Sequence, residues 1–217
     1  MVEAAALPEA FATAYLNLFV EGKAKKGEHL LLPAGNSGLA SVLISLAKAF
    51  GLRVTTTVRS QAKAQAIAHL PFDQLIDTSQ EDVVEVLRKE ADLGRPVNIV
   101  IDCLGSPKVG ESMEHVAYGC RWLVIGTLAG ETTPLNLNTL LRKNIQLMGN
   151  TLRSKTVQQK AEILKQLVQT VWPMIESGDV LPTIFARFPI TKAQQAQALL
   201  EAGESAGKVV LVVKEFS

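Results

Sequence analysis

Short continuous apolar runs alternate along this chain with segments whose apolar residues recur at helical spacing. The runs fall at 29–34, 53–58, 73–76, 97–102, 120–126 and 145–149, several of them β-branched. Helical periods occupy 38–50, 60–69, 80–92, 108–118 and 136–143 between them. An apolar run without polar alternation predicts a strand covered on both faces, and such strands joined through helices predict a parallel sheet with right-handed crossovers. The fold class that follows is α/β, a doubly wound parallel sheet with helices on both faces.

The flanks have their own patterns. A helix is predicted over 8–20, with Pro8 near its start and a surface turn of Gly22, Lys23, Lys25, Lys26 and Gly27 at its end. Another is predicted over 155–176, entered from Ser154 or Thr156 and closed by Gly178, with Pro173 kinking it or ending it early. The remaining tail reads as strand, helix and strand: an extended piece at 181–188, a helix over 191–202 opening with Thr191, and a strand from Lys208 to Val213. It holds too few apolar residues to fold alone and must pack on the main sheet or on another partner.

Composition narrows the chemistry. With 47% hydrophobic residues, 20% charged and a net charge of +1 over 217 residues, the chain has no sequence-wide field for nucleic acid or an anionic membrane. Small-molecule chemistry is the better expectation. No stretch approaches the roughly 20 apolar residues that span a bilayer, and the N-terminus has no basic region ahead of an apolar one, so a cytoplasmic location is expected. Cys103 and Cys120 lie in apolar surroundings and are expected to be reduced and buried. His29, His69 and His115 are scattered without a metal-ligand cluster, so no metal is expected, and no Ser-His-acid or paired-carboxylate arrangement supports hydrolysis. Tyr15 and Tyr118 fall in helical patterns, where a core or surface role is expected.

The first apolar run ends in Ala34-Gly35-Asn36-Ser37-Gly38-Leu39-Ala40 and a helix follows at once. Small residues in such a turn let backbone N–H groups approach a pyrophosphate at the positive end of the helix dipole. Gly35 and Gly38 supply two permissive positions, and Ala40 stands where close packing of helix on strand tolerates Ala. A tight strand-to-helix turn without a ligand is the competing reading; the position after the first of six strands favours the cradle. The second strand ends in Thr57-Val58-Arg59-Ser60-Gln61-Ala62-Lys63, with no acid to hold a ribose 2′-hydroxyl. Arg59, Ser60 and Lys63 suit a 2′-phosphate instead, so NADPH is expected over NADH, unless these residues merely decorate a solvated helix start. Two further strand ends, Ile101-Asp102-Cys103-Leu104-Gly105 and Val124-Ile125-Gly126-Thr127-Leu128-Ala129-Gly130, should open on the same crevice, with Gly105 and Gly130 either admitting a ring or ribose or serving as ordinary turn glycines.

Taken in order, "PAGNSGLASVLISLAKAFG", "TVRSQAK", "VIDCLG", "CRWLVIGTLAG", "LLRKNIQLMGNTLRS" and "GKVVLVV" resemble the cofactor-binding half of the zinc-independent quinone oxidoreductases, zeta-crystallin-like members of the medium-chain dehydrogenase/reductase superfamily. The resemblance covers nearly all of the chain. It implies a Rossmann-type dinucleotide-binding domain over 1–180, a tail over 181–217 that in the family packs on a GroES-like catalytic domain absent from these residues, and hydride transfer from NADPH to a quinone or related enone. It further implies that Ser37, Gly38 and Leu39 cradle the pyrophosphate and that Arg59, Ser60 and Lys63 hold the 2′-phosphate. Leu104, Gly105, Thr127 and Leu128 would flank ribose and nicotinamide, with Thr151, Leu152 and Arg153 near the active cleft. A homodimer through the sheet edge near 135–152 is implied as well, as is a separate catalytic-domain partner. A catalytically silent dinucleotide-binding or interaction module remains the alternative. Pro33 stands where the family often has His, Leu70-Pro71-Phe72-Asp73 replaces a Leu-Gly-Ala-Asp turn, and Asp77-Thr78 replaces an Asn-Tyr pair beside the adenine.

Overall fold

Six short strands form one parallel sheet in a computed structural model that describes residues 1–213. They are β1 His29–Leu32, β2 Arg53–Val58, β3 Gln74–Asp77, β4 Ile99–Asp102, β5 Arg121–Val124 and β6 Gln146–Gly149. Their order across the sheet is β3-β2-β1-β4-β5-β6, with every adjacent pair parallel. The chain works outward from β1 to one edge, then crosses back to β4 and works outward to the other. Between β1 and β4 lies the switch point, where loops at the carboxyl ends of neighbouring strands diverge and leave a crevice.

The helices are α1 Val2–Ala5, α2 Pro8–Tyr15, α3 Gly38–Ala49, α4 Gln61–Ala66, α5 Val83–Asp92, α6 Val109–Met113, α7 Leu137–Lys143, α8 Val157–Thr170, α9 Trp172–Glu176 and α10 Ala193–Glu201. Strand residues alternate between two cores. Leu30, Leu32, Ile99 and Ile101 point into one with Phe11 of α2 and Leu46 of α3, whereas Leu31 and Val100 point into the other with Leu87 of α5 and Met113 of α6. Each such side chain, fully buried, contributes about 1.5–3 kcal/mol. Helices on both faces therefore explain why the strands read as unbroken apolar runs.

Several boundaries differ from the sequence reading, each for a local reason. The first helix is preceded by α1, and α2 gives way at Leu16 to a π-helix, Leu16–Glu21, rather than running on as one α-helix. The helix expected over 108–118 stops at Met113 because the following residues turn back into the sheet: Ala117 N–H donates to Val97 O at 2.8 Å and Gly119 N–H to Lys143 O at 2.7 Å. Tyr118 consequently lies exposed and outside any helix. The long helix opens with a capping box, in which Thr156 Oγ1 accepts from Gln159 N–H and Gln159 Oε1 accepts from Thr156 N–H. It breaks at Val171, and α9 carries Pro173 in its first turn, where the missing N–H costs nothing.

In the tail, β7 Ile184–Pro189 and β8 Lys208–Val212 pair in parallel as a separate two-stranded sheet, connected through a 3₁₀ turn and α10. Val180 and Ala206 are buried in the main core. Gly207 N–H donates to Asn36 O at 3.1 Å and Asn36 Nδ2 donates to Ser205 O at 3.0 Å, so the tail is fastened to the turn after β1.

Candidate functional site

The turn after β1 is built by β2. Gly35 N–H donates to Thr57 O at 2.8 Å, and a Cβ on Gly35 would lie 2.2 Å from Thr56 Oγ1, so only glycine lets the chain cross β2 here. Ala34 takes up the remaining bend with φ +57°, a left-handed backbone unusual for a residue with a Cβ. Ser37 caps α3 through its Oγ, which accepts from Ala40 N–H at 3.1 Å, while its own N–H donates to Ala34 O at 2.9 Å. Among the described residues, the Leu39 N–H has no protein acceptor, whereas the Gly38 N–H faces Gly207 O of the tail across an isolated parallel bridge between Ser37 and Gly207. A free donor thus stands at the positive end of a 12-residue helix, with the Gly38 N–H beside it turned toward the tail, an arrangement that receives an anion. Ser37, Gly38 and Leu39 are half-buried, and Ala40 is packed into the core beneath them.

Arg59 and Lys63 leave the carboxyl end of β2 next to this turn. Ser60 caps α4 between them, its Oγ accepting from Lys63 N–H at 3.4 Å. Arg59 is exposed and Lys63 half-buried, and among the described residues neither takes part in an ion pair. Burial and the nearby Arg59 guanidinium both hold the Lys63 ammonium below its ordinary pKa. Two cations set side by side without a carboxylate make a locally unfavourable field that an anionic ligand relieves.

On the other side of the switch point, Asp102 organises the loop after β4. Its carboxylate is buried, accepting from Leu104 N–H at 2.8 Å and Gly105 N–H at 3.1 Å on Oδ1, and from Trp122 Nε1–H at 3.2 Å on Oδ2. Three N–H donors thereby hold a buried acid that has no cationic partner among the described residues. The loop after β5 is laid against it, Ala129 N–H donating to Leu104 O at 2.7 Å and Leu128 N–H to Cys103 O at 3.3 Å. This brings Leu104 and Gly105 together with Thr127 and Leu128, the latter two exposed at the mouth.

Beyond β6, Asn150 N–H donates to Val124 O at 3.2 Å and places Thr151, Leu152 and Arg153 beside the end of β5. Leu152 packs on the main core, whereas Thr151 and Arg153 are exposed. Asn17 of the π-helix reaches the same place: its Nδ2 donates to Thr13 O at 2.8 Å and its Oδ1 accepts from Asn150 Nδ2 at 2.8 Å. The fourteen residues expected at the site follow the carboxyl ends of β1, β2, β4, β5 and β6, which adjoin across the sheet in the order β2-β1-β4-β5-β6.

Residues 38–169, more than half of the chain, match the family described as zinc-binding dehydrogenase. The chain belongs to that family. Within the wider medium-chain dehydrogenase/reductase fold, this zinc-binding dehydrogenase segment is the cofactor-binding half. It is 26% identical to the quinone oxidoreductase of Escherichia coli solved in complex with NADPH, with a TM-score of 0.81 over 97% of this chain and 64% of that one. It is 23% identical to the quinone oxidoreductase of Mus musculus over 97% of this chain and 62% of that protein. A lovastatin diketide synthase of Aspergillus terreus is 27% identical over 97% of this chain, which spans 9% of the synthase. The chain therefore covers less than two thirds of these relatives.

Although the family description speaks of zinc, no three of His, Cys, Asp and Glu gather around a possible metal position among the described residues. His29 is committed elsewhere, buried at the amino end of β1 with Nδ1 on Arg95 O at 2.8 Å and Nε2 on Thr55 Oγ1 at 2.7 Å. The cysteines form no disulfide, but only Cys120 is buried; Cys103 is half-buried. It follows directly on the last residue of β4, where the chain leaves the sheet and opens on the crevice, and its Sγ lies 3.7 Å from Pro33 O across the switch point. Burial nevertheless pushes the Cys103 thiol up to about 11 and the Cys120 thiol to about 12, so neither is a thiolate at neutral pH. A cavity of about 430 Å³ beside Phe19, Lys26 and Phe50 lies at the amino ends of β1 and β2, on the wrong side of the sheet for this site. Two residues escaped the sequence reading. Asp102 carried a signal, an acid closing an apolar run; Asn17, a polar residue inside an apolar helical period, carried a weaker one.

Proposed function

We propose that the chain binds NADPH along the carboxyl ends of its parallel strands and serves hydride transfer from NADPH to a quinone or a related enone. The observation that carries the reading is the pairing of two anion positions at one turn. Leu39 offers a free N–H at the start of α3 with the Gly38 N–H beside it, and among the described residues Arg59 and Lys63 are cations without an ion-pair partner one strand away. Their separation by one strand is what a dinucleotide with a pyrophosphate and a 2′-phosphate requires. The residues fit this cofactor: Gly38 and Leu39 with the Ser37 turn for the pyrophosphate, Arg59, Ser60 and Lys63 for the 2′-phosphate, and the loops holding Leu104, Gly105, Thr127 and Leu128 for ribose and nicotinamide. Thr151, Leu152 and Arg153 border the acceptor. Bound there, the cofactor supplies the hydride, while the protein orients it and limits water.

Support for a quinone comes from the quinone oxidoreductases among the relatives; the diketide synthase supports a reduction carried out inside a far longer chain. In either case residues 1–180 form the cofactor domain and the tail from 181 onward meets a catalytic domain, and two copies join through the sheet edge near 135–152. The 2′-phosphate assignment is tested by calorimetric titration of the Arg59→Ala, Lys63→Ala double variant. NADPH affinity should fall at least about tenfold, near 1.4 kcal/mol, with NADH affinity unchanged within about twofold. Equal losses for both cofactors would show that these side chains do not read the phosphate.

A further inference from the structure

Gly203 follows the last turn of α10 with φ +65°, as glycines after helix C-termini commonly do. That accounts for its backbone but not for its surroundings. Beyond its two chain neighbours and among the described residues, a Cβ built on Gly203 would have two heavy atoms within 4 Å, Arg59 Nη2 at 3.7 Å and Lys63 Nζ at 3.8 Å. Both cationic heads therefore face the same small space, and the tail closes it. The tail cannot swing freely there, because α10 holds one end of the loop and Asn36 holds the other, through Ser205 O at 3.0 Å and Gly207 N–H at 3.1 Å. The same Asn36 stands in the turn that leads into α3, so one loop links the pyrophosphate turn to the two cations.

We propose that Gly203 is a specificity-determining residue for the 2′-phosphate of NADPH, its missing side chain leaving the space before Arg59 and Lys63 open, with the loop 203–207 as the third wall of that subsite. The inference rests on the NADPH reading above and goes beyond it, since it brings the tail into cofactor selection. Any side chain at 203 competes with the phosphate for the cations, and a carboxylate competes by charge as well as by volume.

Gly203→Asp and Gly203→Asn separate the two effects. Both residue types tolerate left-handed backbone and are nearly equal in volume, so they differ mainly in charge. Calorimetric titration of the 217-residue chain and both variants with NADPH and with NADH should show the NADPH-over-NADH preference at least about tenfold lower for Asp than for Asn. NADH affinity should agree within about twofold among all three. Without ligand, the Asp variant should melt above the Asn variant at low salt, and the gap should close at high salt as the new carboxylate is screened from the cations. In the unsubstituted chain, NADPH should shift the Gly203 amide resonance and NADH should leave it in place. Identical preferences for Asp and Asn in a chain that does favour NADPH would overturn the role of Gly203 alone. A chain with no NADPH preference, unaffected by Arg59→Ala, would overturn the 2′-phosphate reading and this proposal with it.

Discussion

Ala34 shows how a single backbone conformation can separate fold from function. Its φ of +57° places a Cβ-bearing residue in left-handed backbone at the turn that aims α3. Such a conformation costs roughly 1–2 kcal/mol without glycine and persists where the surroundings determine it. Ala34→Gly should therefore raise stability by about 1 kcal/mol in urea denaturation, with cofactor affinity little changed; a loss of stability would mean that Cβ packing outweighs the strain. Asp102 is the other residue on which the site depends, because its carboxylate fixes two successive N–H groups of the loop expected beside the ribose. The sequence shows an acid there, and two of its donors lie only two and three residues further along the chain, but the third, Trp122 Nε1–H, comes from the next strand. No local pattern contains that cross-strand contact.

Among the elements, the sheet was legible because parallel strands covered on both faces leave unbroken apolar runs, and all six were found within a few residues of their limits. What the pattern missed were helix ends set by tertiary pairing. The stretch after Met113 has helical period, yet Val97 O and Lys143 O draw its backbone into turns. The elements are also tied at the end remote from the site. His29 of β1 bridges Arg95 O and the Thr55 hydroxyl of β2, and burial depresses its pKa. Because the folded value lies below the unfolded one, the unfolded chain takes up the proton first, and the stability present above about pH 6.5 is lost as pH falls through and below that value. Urea denaturation at pH 7.5 and pH 5.5 should show a decline that His29→Leu reduces; an unchanged decline in that variant would assign it to other groups.

At the scale of the whole molecule, β6 leaves an outer edge with Leu147 partly exposed, and Leu137 and Leu141 of α7 are exposed beside it. An open edge with apolar neighbours favours pairing with a second copy. Light scattering should give twice the chain mass, and Leu147→Asp should give the chain mass; a monomer at high concentration without that substitution would contradict the pairing. The tail is where sequence reading was least informative, since it showed a strand, helix and strand but not that the intervening loop lies against Arg59, Lys63 and Asn36. The turn after β1 and the Arg59 and Lys63 side chains together form two adjoining anion positions, and calorimetric titration of the unsubstituted chain with NADPH and separately with NADH reads both. NADPH should bind at least about tenfold tighter than NADH, near 1.4 kcal/mol of preference. Equal binding of both, or tighter binding of NADH, would contradict it.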